Sequence, residues 1–192
     1  MAGRNWLDVW YAAFRMPTQE ASINDFGLLI AYVLPGFTAL IGASYFSPEI
    51  RSWIGSSDAA TPTLGGFLYM TVASIAAGLT VSTVRWLLID SLHHATGLRR
   101  PQWNFAHLPN KVDAYSILTD FHYKFYQFYA NEIISLAWVA LTRRWVRGLS
   151  LPPDRVDIGI VILMAVFFLG SRDTLRKFYV RMEQLLSSAK PE

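Results

Sequence analysis

The sequence predicts an all-α integral membrane protein, a four-helix transmembrane bundle with amphipathic helices at its interfaces. Two stretches of 21 residues, 26–46 and 64–84, carry no charge, and about 20 helical residues cross a hydrocarbon core of roughly 30 Å. Further apolar blocks occupy 125–142 and 158–170. Composition points to lipid as solvent, with 53% hydrophobic, 15% aromatic and 16% charged residues against roughly 25% charged in soluble domains. At 192 residues the chain has room for one membrane domain, 1–192, and no second soluble core.

Residues 1–16 begin with Trp6, Leu7, Trp10 and Phe14 on one helical face beside Arg4, Asp8 and Arg15. That pattern predicts an interfacial helix, limited by Pro17. Asp8, Glu20 and Asp25 break any early apolar run, so no cleavable signal peptide is expected. In the first span, about 26–46, Pro35 lacks the N–H that would bond the carbonyl of Ala31, and Gly36 follows, so a kink is expected there. The second span, about 64–92, repeats Ser74, Gly78 and Ser82 every four residues beside Ala73 and Ala77. Such a strip lets another backbone approach closely, either within the chain's own bundle or in a homo-oligomer. It places this helix at the centre of the packing.

The third span, about 125–145, carries Asn131 and Glu132, whose insertion is costly without a partner. Upstream, Ile117, Leu118, Phe121, Phe125 and Phe128 recur at helical spacing, as in a helix that runs along the interface first. The fourth span, about 156–171, reaches only roughly 24 Å. Its apolar stripe continues through Leu175, Phe178, Met182 and Leu185 among basic residues, predicting a cytoplasmic helical extension over 172–188. With four spans, twelve Lys and Arg share one side with both termini and five lie opposite. The positive-inside rule then puts both termini in the cytoplasm of a cell inner membrane. The arginine-rich turn TRRWVRG fits this poorly, which keeps open a second architecture of two spans plus a re-entrant hairpin.

No cysteine is present, which excludes disulfides, thiolate metal sites and thiol nucleophiles. Phosphate-binding loops, zinc-protease helices and serine nucleophile elbows are also missing, so no cofactor is expected. The basic residues cluster at the ends of apolar blocks, a placement suited to lipid headgroups and not to nucleic acid. Arg85, Asp90, His93, His94, His122, Asn131 and Glu132 form a candidate polar cluster in or near the membrane, in which Arg85 is expected to neutralise Glu132. The spacing of the histidines matches no compact metal motif. The partners that fit are the bilayer, a second copy of the chain and a cytoplasmic protein. The expected role is a membrane assembly or partner-coupling component; an oligomeric pore or membrane-perturbing effector is the second reading, and a metal- or lipid-active membrane enzyme the third.

Overall fold

The computed structural model describes residue 27 and residues 29–55 and 64–187, so the interfacial helix expected over 1–16 lies outside the described residues. Helices make up 86% of the described residues, and no strand occurs among them. Helix α1, Leu29–Ala43, opens with a π-helical turn over Leu29–Val33 and becomes regular at Leu34. Pro35 therefore sits in the first turn of the regular segment, where a missing N–H is best tolerated. A short helix α2, Pro48–Gly55, starts where Ser47 Oγ accepts from the Ile50 amide at 3.3 Å. Helix α3, Leu64–Ala95, contains a second π-turn at Trp86–Asp90.

The connection back is a 3₁₀ turn, Phe105–Asn110, entered through an Asn104 side chain that accepts from the Ala106 amide. Helix α4, Val112–Leu118, passes through a third π-turn, Thr119–Tyr123, into α5, Lys124–Arg147. Gly148, at φ +100°, ends α5 in the left-handed region that glycine tolerates. Helix α6, Arg155–Ser187, is capped by Asp154, whose carboxylate accepts from the Val156 and Asp157 amides at 3.0 and 2.9 Å.

Contacts fix an up-down-up-down order. A Cβ on Gly36 would lie 1.8 Å from the Ser74 carbonyl oxygen, and one on Gly78 would lie 2.0 Å from the Tyr32 oxygen. Helices α1 and α3 are thus antiparallel and in backbone contact, as small residues permit. Asn131 and Ser135 meet Ala31 and Pro35 in parallel register, while Tyr129 packs on Phe167 and Tyr123 on Phe178 in antiparallel register. The packing centre is consequently α5, not α3. Helix α5 buries Tyr126, Ala130, Asn131, Glu132, Ile133, Ser135, Val139 and Thr142 against both neighbours, whereas α3 meets the bundle along one edge, Met70, Ser74, Gly78, Val81 and Arg85, carried on by Ile89 and His93.

Two helices, α3 and α6, are long and apolar enough to cross a membrane by length and composition. Only 22% and 17% of their most apolar windows are buried, which separates them from the core helix of a soluble fold. The fourth apolar block is therefore not short: it belongs to a 33-residue helix of about 50 Å. The described run of α1, Leu29–Ala43, is 15 residues and ends at Ala43. The extension over 172–188 does not project alone. Phe178, Met182 and Leu186 pack with Trp103, Leu108, Tyr115 and Leu118 of the long connection, and Lys111 Nζ donates to the Leu185 carbonyl at 2.5 Å.

Candidate functional site

The residues of the expected polar cluster divide into separate layers along the bundle. In the first, Asn131 Nδ2 of α5 donates at 2.7 Å to the Ala31 carbonyl, the acceptor that a regular α-helix would pair with the N–H that Pro35 lacks. Ser135 Oγ donates to the Pro35 carbonyl at 2.8 Å, and Thr38 Oγ1 to Glu132 Oε1 at 3.3 Å. A hydrogen bond of this kind contributes about 0.5–1.5 kcal/mol net. Their larger effect is to prevent a bare buried carbonyl, which would cost about 1–3 kcal/mol.

The ion pair expected between Arg85 and Glu132 is not formed. Arg85 Nη1 instead bonds Asp90 Oδ1 at 3.1 Å and lies over the Tyr126 ring, 5.4 Å from its centroid. Tyr126 Oη donates to the same carboxylate oxygen at 2.5 Å. The cause is the π-turn at Trp86–Asp90: its wider i→i+5 spacing brings Asp90 over Arg85, which a regular helix would not do. Glu132 faces α1, a different neighbour.

Below this pair, fully buried His93 stacks on Phe168 at 5.1 Å and meets Ser171 Oγ at 3.0 Å. Ser171 Oγ also lies 2.9 Å from the Phe168 carbonyl, so when the hydroxyl donates there it accepts from His93 Nε2–H. Neighbouring His94 faces the other way, its Nε2 3.2 Å from Tyr179 Oη. Burial raises the pKa of the Tyr179 phenol. His122 is drawn out of the cluster to Arg181, 2.5 Å away. Of the packing residues, Gly36, Ser74 and Gly78 meet at the α1–α3 contact, Pro35 is buried with its carbonyl on Ser135 of α5, and Ser82 is half-buried one turn beyond Gly78.

These layers lead to a cavity of about 450 Å³ between the end of α3, the long connection, the start of α5 and the second half of α6. Its volume is in the range of small-molecule sites. Trp103, Tyr123, Tyr126, Phe178 and Tyr179 supply aromatic walls, with Asp90, His94, Arg100 and Thr119 as polar groups. Two of the three π-turns border it, a placement frequent at binding sites. The sequence reading missed Arg100, Trp103, Thr119 and Tyr179; the run RRPQW, with adjacent cations and an indole, was the available signal.

At the opposite end of α5 the arginine-rich turn forms a network. Arg143 bonds both Asp154 and Asp157, and Arg147 lies 2.5 Å from Asp154. The turn's arginines are thus engaged with protein carboxylates. Among the described residues, no three His, Asp or Glu side chains converge to hold a metal ion. Comparison with protein-family models, curated proteins and solved structures finds no match, so the site is read from its geometry.

Proposed function

We propose that the chain is a four-span inner-membrane protein that presents an aromatic, basic helical layer to the cytoplasm and serves there as an assembly or partner-coupling component. The observation that carries this reading is an inverted polarity. Outward faces of α3 and α6 expose Phe67, Leu68, Val72, Leu79, Val161, Ile162, Val166 and Leu169, while Ser74, Asn131, Glu132, Ser135, Thr142 and Ser171 are buried. Water favours the reverse, and lipid favours this.

Helices α1 and α5 lie against the two outer helices at the same level, so a slab that contains α3 and α6 contains all four. The long connection and the end of α6 then share a side that holds nine Lys and Arg from residues 85–124 and 172–187, as expected of a cytoplasmic face. The layer is rigid enough to be read by a soluble partner, since α6 is stitched to it by Phe178, Met182 and Leu186. The pore alternative has lost one support: the Ser74 and Gly78 strip is filled by α1 of the same chain.

The cysteine-free sequence makes topology directly measurable. Single cysteines at Gln102 and Ser150 are to be probed with a maleimide that does not cross the inner membrane. Ser150→Cys should label in intact spheroplasts and Gln102→Cys only after lysis. Labelling of neither before lysis would replace the four-span arrangement by the re-entrant hairpin. The coupling role is tested by Arg176→Glu, an exposed position on the layer, which should release a peripheral protein retained on washed parental membranes; identical retained proteins in both would remove that role.

A further inference from the structure

We propose that the aromatic cavity binds the phosphate-bearing headgroup of an anionic phospholipid, with Arg100 and Trp103 as its principal donors. The inference rests on the membrane reading above, which places the end of α3 at headgroup depth. It begins with the balance of donors and acceptors around the cavity. Trp103 Nε1 and Thr119 Oγ1 are buried and have no hydrogen-bond partner among the described residues. An indole N–H can only donate, and so can a guanidinium. Arg100 lies over the Trp103 ring, 5.8 Å from its centroid, and forms no ion pair among the described residues.

The one carboxylate in the lining, Asp90, already accepts from Arg85 and Tyr126 through Oδ1. Its charge is matched by Arg85, leaving the Arg100 charge to set the sign of the cavity. What such a lining lacks is an acceptor-rich, negatively charged group, and a phosphodiester supplies one. Carboxylates of acidic peptides offer similar acceptors, but the cavity mouth argues for lipid. Trp86 and Leu87 line the cavity and are 62% and 55% exposed on the outward face of α3. They continue the apolar surface formed by Ile75 and Leu79, so an acyl chain lying along α3 would deliver its headgroup to Arg100. Tryptophan at this depth also matches the usual interfacial belt.

The test uses the full chain in a maltoside micelle, with bound lipid read by native mass spectrometry and thermal shift. Phosphatidylglycerol, diacylglycerol and glycerol phosphate are titrated separately. The parent should be stabilised by phosphatidylglycerol, and neither the tail alone nor the soluble headgroup should match it. Arg100→Gln and Trp103→Phe should each weaken the apparent affinity about tenfold, as expected for loss of a hydrogen bond to a charged group. Trp103→Phe keeps the ring and removes the N–H, so it remains informative if the arginine variant misfolds. Equal stabilisation by diacylglycerol would reduce the cavity to an apolar groove, and equal binding of glycerol phosphate would transfer the site to a soluble ligand; either overturns the proposal. Unchanged lipid binding in both variants overturns it as well. Flotation of the parent with carbonate-washed vesicles separates the two levels: a protein that floats but retains no lipid loses only the cavity assignment, and one that does not float loses the membrane reading itself.

Discussion

The glycines of the α1–α3 contact show how single atoms set the packing distance. At Gly78 an added methyl would meet the Tyr32 carbonyl, which is backbone and cannot rotate away. At Gly65, on the same helix, nothing lies within 4 Å of the corresponding position. Gly78→Ala should therefore lower stability by about 1–3 kcal/mol, read as a lower melting temperature in detergent, and Gly78→Ile should lower it further. Gly65→Ala should leave the melting temperature unchanged or slightly raised, because alanine is the better helix former. Equal melting of Gly78→Ile and the parent would show that this contact does not hold the bundle. Asn131 works by a different route. Asn131→Leu fills similar volume yet takes away the donor to the Ala31 carbonyl, which the N–H that Pro35 lacks cannot replace, so it should destabilise while Pro35→Ala in the same background recovers part of the loss.

Helices were legible from the sequence because a charge-free run in a chain of this composition has few alternatives. The block expected at 64–92 is a helix over Leu64–Ala95, and the one at 125–145 is a helix over Lys124–Arg147. Their partners were much less legible. Asn131 reaches a carbonyl 100 residues away, a pairing that no local pattern encodes. Arg85 is expected beside Glu132 because both stand where neighbouring spans meet the same side, and the π-turn that brings Asp90 to Arg85 instead has no sequence signature strong enough to foresee. The short connection between α5 and α6 gives the element-scale prediction. Hydrogen bonding to Arg143, reinforced by the Asp157 amide region, lowers the Asp154 pKa below the normal carboxylate range. A carboxylate depressed by folding contributes stability above its unfolded pKa of about 3.9 and loses it as pH falls toward the folded value. Asp154→Asn should thus melt below the parent at pH 7, with the gap closing between about pH 4 and more acidic conditions. A gap that stays constant across that range would show that the Asp154 charge does not carry the effect, and helix capping would not explain it either, since asparagine caps as well as aspartate.

For the whole molecule, the decisive property is which solvent its outer surface meets, and one class of substitution distinguishes the candidates. Val161 and Leu169 are 63% and 67% exposed on α6, and they belong to the apolar face that also carries Ile162 and Val166. In a soluble protein an arginine at such a position would change stability by no more than about 0.5 kcal/mol, and it would improve solubility. In lipid the same arginine near the middle of a span costs about 2.5–3.5 kcal/mol on insertion scales. Position matters as well as exposure. Val180, also outward but in the second half of α6, lies beyond the apolar stretch among Arg176, Lys177 and Arg181, so an arginine there stands at headgroup depth and should be tolerated. Val161→Arg and Leu169→Arg should therefore reduce the carbonate-resistant membrane fraction, Val161→Arg the more because it stands farther from the basic end, while Val180→Arg should match the parent. Three variants that all remain fully membrane-associated, or all gain a soluble fraction equally, would show no depth dependence, and without that dependence α6 cannot be a transmembrane helix.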